Sequence, residues 1–268
     1  MSDPVTVTEA ALLARDQESQ PWQQAVVAVL SGPLDRADLI NRVRERIEYS
    51  PRFRRLVDGW PVPAWVDDPH FSVAGHVHEE ALAPGQRLED WLAERLARPL
   101  ERVHPLWEAT LVQGLAPGTQ ALVVRAHPAL VDGYDNVHLL QELFDTEPGP
   151  VEATAVEWQP SDTRAPGLGD LVVALNDPLK AVAGAATGLL GMVENAVRTV
   201  SASPREHHVA GVEVDLDVLA EFRTAFGCTT HDVLLALAGA GVRGWLLDHG
   251  RALEDPVTLV PLAVQEPA

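Results

Sequence analysis

The stretch VVRAHPALVDGYDN, residues 123–136, decides how the rest of the sequence is interpreted. Its apolar start predicts a buried strand, and His127 stands where that strand should end. Asp132 and Gly133 then close a short loop. A strand fixes an imidazole, an acid pins the loop, and a glycine lets the chain turn or a substrate approach closely. The pattern indicates His127 and Asp132 as candidate catalytic residues, with a purely structural role in holding the loop as the alternative.

Helices and strands are predicted to alternate around this stretch, which favours an α/β fold. The predicted strands are 22–30, 71–79, 107–115 and 120–127, the last two joined by the turn APGT at 116–119. The predicted helices are 34–47, which Pro51 terminates, then 87–101 and, after the loop, 134–145.

A change of composition divides the chain. Residues 146–169 are rich in proline, glycine, threonine and acidic residues without periodicity, which is typical of a linker. A long helical segment is predicted at about 170–200, followed by a strand at 212–216, helices at 217–227 and 230–250, and a strand at 256–264. The predicted organisation is a first lobe at 1–150, a linker and helical segment at 151–210, and the start of a second lobe at 211–268.

Composition excludes several classes of function. The 268 residues carry a formal net charge of -19, which disfavours binding to nucleic acid or to anionic lipid. The single cysteine, Cys228, cannot form an internal disulfide, so an intracellular protein is expected. The N-terminus lacks the basic and apolar pattern of a signal peptide, so a cytoplasmic location is expected. Peripheral contact of the helix at 170–200 with a membrane or lipid-droplet surface is left open.

The segment at 100–145 resembles the bacterial wax ester synthase/diacylglycerol acyltransferase family. The family has a Pro-Leu-Trp-Glu segment, matched by Pro105–Glu108, and a Gly-Leu turn, matched by Gly114 and Leu115. Its His-His-x-x-x-Asp-Gly loop is matched by His127, Asp132 and Gly133. The similarity continues into 227–246, which looks like the family's Asn-Asp-Val helix, and into LVPLAV at 259–264, which looks like its Pro-Val-Ser strand.

The resemblance implies a fold and an activity. Family members have the CoA-dependent acyltransferase fold, similar to chloramphenicol acetyltransferase and to condensation domains, in which two α/β lobes enclose a tunnel. Acyl-CoA is the co-substrate, no bound cofactor is expected, and a long-chain alcohol or diacylglycerol accepts the acyl group. The loop histidine takes the hydroxyl proton of the acceptor.

Three departures from the family pattern predict impaired or lost catalysis. The second histidine of the loop, which is the family's base, is replaced by Pro128. His127 is not expected to stand in for it, because neighbouring residues at a strand end point to opposite faces. His231 replaces the asparagine that precedes Asp232 in the family's helix. The chain is also shorter than family members, so most of the second lobe is expected to be missing.

Other residues are weighed against plain structural roles. His138, on the helix after the loop, and Trp107 are candidate substrate-binding residues together with Gly133; an exposed helix position and core packing are their respective alternatives. Trp60 and Trp65 could also line an apolar acyl site, with core packing as the alternative. His76 and His78 lack a third ligand at a suggestive spacing, so no metal site is predicted. The pairs Asp67–Asp68 and Glu79–Glu80 are expected to be solvated.

Two functional hypotheses follow. The first is an acyl-CoA-dependent O-acyltransferase of triacylglycerol or wax ester synthesis whose catalysis is impaired. The second is a non-catalytic acyl-chain-binding or regulatory partner of a full-length paralogue, because the half-interface of a missing lobe would be a large apolar patch. A variant of the second is one half of a split enzyme whose other lobe is encoded separately.

Overall fold

The computed structural model describes residues 3–16, 21–47, 51–59, 63–130 and 208–251. These residues divide into two units, one extending to Val209 and the other beginning at Ala210. The predicted boundary after residue 150, the linker, the helices at 134–145 and 170–200 and the strand at 256–264 lie outside the described residues.

The first unit contains two sheets and the helices packed on them. Its elements are β1 Asp3–Pro4, α1 Val7–Arg15, β2 Gln24–Ser31, α2 Arg36–Arg46, a 3-10 turn Pro51–Arg54, β3 Arg55–Asp58, β4 Ala64–Asp67, α3 Val73–His76, β5 Val77–Ala81, α4 Leu88–Leu96, β6 Trp107–Gln113 and β7 Thr119–Ala126. The smaller sheet has the order β1-β4-β3, and the larger has the order β2-β7-β6-β5. In the larger sheet only the β5·β6 pair is parallel.

The larger sheet is covered by helices on both faces. Because side chains alternate along a strand, Leu122 and Val124 of β7 join the core that contains Leu39 and Val43 of α2. Val123 faces the other way, into the cluster that contains Trp91 of α4. Burial on both faces explains why β6 and β7 are almost continuously apolar, which is the property that made them predictable.

The turn after β6 requires a glycine. Gly114 has φ +88°, and a Cβ atom there would lie 3.3 Å from the backbone nitrogen of Leu82. The predicted turn at 116–119 is present, with the Thr119 N–H donating to the Ala116 carbonyl at 3.0 Å. The strands 22–30, 107–115 and 120–127 and the helices 34–47 and 87–101 are confirmed, with shorter bounds for both helices and for the strand at 107–115.

Two predicted strands are wrong. At 71–79 the alternating pattern predicted one strand, but Val73–His76 forms a helical turn and β5 begins only at Val77, opposite Ala109. At 212–216 the residues before Leu216 form no strand in the described part of the chain. There Asp215 instead caps the following helix by accepting the N–H of Asp217 at 2.8 Å.

The described part of the second unit contains two consecutive helices, α5 Leu216–Phe226 and α6 Thr230–Asp248, both predicted. Thr229 caps α6 in a reciprocal capping box with Asp232. No side chain of α6 is buried in the described structure, although the helix is largely apolar. Within the described ranges no single helix is long and apolar enough to cross a membrane; α5 and α6 meet that test only as a pair, bent by 103°.

Arg125 of β7 ties the larger sheet to the end of α4. Its guanidinium, 6% exposed, donates to the carbonyls of Arg95 and Arg98, to Gln23 Oε1 at 3.0 Å and to the carboxylate of Glu108. Cations stabilise the carbonyl end of a helix, and the Glu108 carboxylate balances the buried charge.

We expect Arg125→Met to lower the free energy of unfolding by about 2 to 4 kcal/mol, because it leaves the Glu108 carboxylate without its cation and removes one donor from each of the Arg95 and Arg98 carbonyls. Urea denaturation measures the effect. The control is Arg87→Gln, which removes an ion pair between the largely exposed Arg87 and Glu89 and should change nothing measurable. Equal stability of the two variants would contradict the role given to Arg125.

Candidate functional site

The candidate loop begins where β7 ends. The pairing of β6 and β7 stops at Trp107 opposite Ala126, but the N–H of His127 donates to the Leu106 carbonyl at 2.9 Å and extends the ladder by one residue. The Leu130 N–H then donates to the His127 carbonyl at 2.9 Å and closes a turn. The backbone of His127 is therefore fixed on both sides.

The imidazole of His127 is almost fully buried, and its hydrogen bonding defines its protonation. The side chain is 1% exposed. Its Nδ1 atom accepts the N–H of Ala129 at 2.9 Å, so the proton of the neutral ring is on Nε2. Burial lowers the pKa of His127 to about 4, with the nearby Asp16 carboxylate opposing that shift and Arg102 adding to it. At neutral pH the ring is uncharged, and its unprotonated nitrogen already accepts the Ala129 N–H.

Asp16 and Arg102 lie behind His127. The Nε2 atom of His127 is 3.9 Å from Asp16 Oδ2, which is too far for a hydrogen bond, and it makes no hydrogen bond to any described residue. Arg102 holds Asp16 Oδ2 at 3.2 Å and donates to the Leu13 carbonyl at 2.6 Å, while Asp16 Oδ1 accepts the Trp22 N–H at 2.7 Å. This cluster could not be predicted from the sequence, because its members are far apart along the chain.

Pro128, which the sequence comparison predicts to stand in place of a catalytic base, follows His127 directly. It is partly exposed, whereas His127 before it and Ala129 after it are buried. A pyrrolidine ring has no proton to exchange at this position. The structure thus turns the remaining histidine inward and leaves the outward position without a titratable group.

Trp107 lies in the core beneath the loop. Its side chain packs among the buried residues of the larger sheet, and its indole N–H donates to the Phe53 carbonyl at 2.7 Å. The ring of His76 stacks on it with centroids 4.8 Å apart. Burial lowers the pKa of His76, opposed by the Ser72 and Pro105 carbonyls. The remaining candidates Asp132, Gly133 and His138, and also Trp60, lie outside the described residues.

The expectation that Asp67 and Asp68 are solvated is wrong for both, since their side chains are 9% and 3% exposed. Asp67 forms an ion pair with Arg55 at 3.0 Å, whereas the side chain of Asp68 turns inward and is 3% exposed. Asp68 Oδ2 lies 3.6 Å from Nδ1 of His104, a residue that the sequence analysis passed over. The available signal was the position of His104 directly before the Pro-Leu-Trp-Glu segment.

No described residues form a group of three or more histidine, cysteine, aspartate or glutamate side chains arranged to hold a metal ion. A small apolar cavity lies between α2 and the larger sheet, lined by Val43, Ile47, Phe53, Trp107 and Val124. Such walls suit a hydrocarbon group, but the polar residues of the loop take no part in them.

Comparison with known proteins gives consistent matches. A family model described as the wax ester synthase/diacylglycerol acyltransferase catalytic domain matches residues 2–234. The "Probable diacyglycerol O-acyltransferase tgs3" of Mycobacterium tuberculosis is 30% identical over 202 residues, which cover 69% of this chain and 74% of that protein. The similarly named tgs1 of the same organism is 26% identical over 286 residues, covering 97% of this chain and 62% of that protein.

A solved structure shows the same fold. The wax ester synthase/diacylglycerol acyltransferase from Marinobacter aquaeolei VT8 superposes with a TM-score of 0.60 at 21% identity, covering 92% of this chain and 61% of that one. The predicted fold class, an α/β CoA-dependent acyltransferase fold, is confirmed. The matches span between 49% and 74% of the relatives' own lengths.

The buried His127 makes stability depend on pH. A pKa of about 4 in the folded state, against about 6.5 in the unfolded chain, means that the unfolded state binds more protons between these values. Stability should therefore fall as the pH drops through this window, with this residue contributing about 2 kcal/mol of the loss between pH 7 and pH 5.

Urea denaturation of the native chain and of His127→Asn at both pH values measures that contribution. Asparagine keeps an acceptor for the Ala129 N–H and does not titrate, so the variant should lose about 2 kcal/mol less. Identical losses in the two proteins would show that His127 is not buried in the neutral form.

Proposed function

The chain belongs to the wax ester synthase/diacylglycerol acyltransferase family, and from that premise we propose that it is an acyl-CoA-dependent O-acyltransferase domain whose motif loop has lost its base. The co-substrate in this proposal is acyl-CoA, and the acceptor is diacylglycerol or a long-chain alcohol. Activity should be low, since a positioned general base contributes about 10²- to 10⁴-fold to a rate.

The observation that carries this proposal is the state of His127. A base must present an unprotonated nitrogen to the acceptor hydroxyl. The unprotonated Nδ1 of His127 already accepts the Ala129 N–H, and the ring is 1% exposed. With Pro128 next to it, the described part of the loop has no group that can take the hydroxyl proton.

The other candidate residues keep supporting roles in the proposal. In it, Asp132 serves to hold the loop, Gly133 and His138 serve to bind substrate, and Trp107 packs in the core next to the start of the loop. The cytoplasmic location with peripheral lipid contact that the sequence suggested stays a prediction.

A second candidate is a non-catalytic acyl-chain-binding or regulatory partner of a full-length paralogue. It is favoured by the exposed apolar side chains of the second unit, which include Phe226 at 74% and Trp245 at 50%. An apolar surface of this kind is typical of interaction sites. Sedimentation of the purified chain with a purified full-length paralogue tests this candidate: a stable complex supports it, and independent sedimentation contradicts it.

We expect Pro128→His to raise the rate of acyl transfer by about 10²-fold or more, because it restores a titratable group at the outward position of the loop. The measurement is transfer of labelled palmitoyl groups from CoA to diacylglycerol and to hexadecanol. Pro128→Ala is the matched control; it relaxes the backbone as histidine does but supplies no base, and it should not gain activity.

Absence of transfer in the native chain and in the histidine variant, with both folded by circular dichroism, would contradict the enzymatic proposal. Equal gains in the histidine and alanine variants would show that the proline ring, and not the lost base, limits the rate.

A further inference from the structure

We propose that His104, oriented by Asp68, is a second general base that accepts the acceptor hydroxyl proton in this chain. The proposal rests on the acyl-transfer function proposed above and concerns the residual activity of the native protein. It assigns a catalytic role to His104 and a positioning role to Asp68.

Hydrogen bonds hold both the backbone and the carboxylate of Asp68 in place. Its N–H donates to the Arg54 carbonyl at 3.0 Å, and its carbonyl accepts the Phe71 N–H at 3.2 Å. Its Oδ1 atom accepts the His70 N–H at 2.8 Å. Oδ2 is buried and makes no hydrogen bond within the described residues. An unpaired buried carboxylate oxygen is costly, and a side chain that can donate, the imidazole of His104, lies 3.6 Å from Oδ2.

His104 lies beside this oxygen, and about half of its side chain is exposed to solvent. Its Nδ1 atom lies 3.6 Å from Asp68 Oδ2, and its side chain is 51% exposed. Its backbone is set by a turn in which the His104 N–H donates to the Glu101 carbonyl at 3.2 Å. In the proposal, the Asp68 carboxylate comes within hydrogen-bond distance of Nδ1 when the acceptor binds, holds the proton there and leaves Nε2 as the base, as in acid–base dyads of hydrolytic enzymes. Such contacts are commonly long without substrate and shorten when it binds.

The pair lies at the end of the sheet that carries the motif loop. Leu106, two residues after His104, accepts the N–H of His127. Two residue steps and one strand spacing place the Cα atoms of His104 and His127 at most about 13 Å apart. His76 packs between this pair and the core, with its ring 4.8 Å from Trp107 and 6.2 Å from His104. His104 and His127 therefore lie at the same edge of the larger sheet, and the proposal places the acceptor hydroxyl at that edge.

The chemical step balances with the substrates already named. Nε2 of His104 takes the hydroxyl proton as the oxygen attacks the thioester carbonyl carbon and forms the new C–O bond. The C–S bond then breaks, and the departing thiolate takes the proton from the imidazolium. Acyl-CoA and an alcohol become an ester and free CoA, with His104 unchanged. Water in place of the alcohol would give a fatty acid, so transfer and hydrolysis are measured separately.

The test compares the native chain with His104→Ala, Asp68→Asn and Pro128→His in the labelled palmitoyl-CoA assay, with and without hexadecanol. His70→Ala is the matched control, because His70 is an exposed histidine beside Asp68 whose side chain has no part in the pair. We expect His104→Ala to lower the residual rate by about 10²-fold and added imidazole to restore part of it. Asp68→Asn should lower the rate at least about tenfold and alter the pH–rate profile, and His70→Ala should do neither.

The outcomes separate this inference from the proposed function. If Pro128→His is active but the native rate is unaffected by His104→Ala, the second base is overturned and the acyltransferase proposal stands. The same conclusion holds if the native chain has no measurable rate. If Pro128→His is also silent, the acyltransferase proposal itself fails. Loss of activity in His104→Ala with rescue by imidazole supports the dyad.

Discussion

The hydrogen bond from the Ala129 N–H to Nδ1 of His127 is the interaction on which the candidate site depends. It requires the ring to fold back over its own turn, which buries it at the end of β7. The His127 N–H meanwhile continues the β6·β7 ladder to Leu106. His127 is therefore the last residue of the β6·β7 ladder and the first of the loop, and its unprotonated nitrogen accepts a backbone hydrogen bond. Asp16 and Arg102 add a charged pair behind the ring without disturbing that arrangement.

In this arrangement the two functions of the loop, holding its own conformation and transferring a proton, belong to different positions. Holding the loop falls to a buried, neutral histidine, whereas proton transfer would fall to the next position, where Pro128 stands. A fold can thus keep the architecture of an acyltransferase site after the group that performs the chemistry has been replaced. With proline at position 128, the strand pairing of β6 with β7 and the packing of the core are complete up to Leu130.

Much of the fold could be predicted because burial leaves a clear pattern. The apolar runs of β6 and β7 and the helical spacing of α2 and α4 identified these elements correctly. Helix α1 was missed, although Thr6 and Glu9 form a capping box whose spacing was visible in the sequence. The strand predicted at 71–79 failed because alternation alone does not exclude a helical turn before β5. The clusters at Asp16 and Asp68 could not be predicted, since their partners come from distant segments brought together only by packing.

Whether His127 is a neutral, structural histidine can be read from the chemical shifts of its imidazole nitrogens. Long-range ¹H–¹⁵N correlation spectra of the ¹⁵N-labelled chain, assigned with His127→Asn, report the tautomer and its titration. We expect the ring to be protonated on Nε2 alone at pH 7 and to titrate with a pKa of about 4. A ring protonated on Nδ1, or one that titrates near pH 6.5, would contradict it and would return His127 to the set of possible bases.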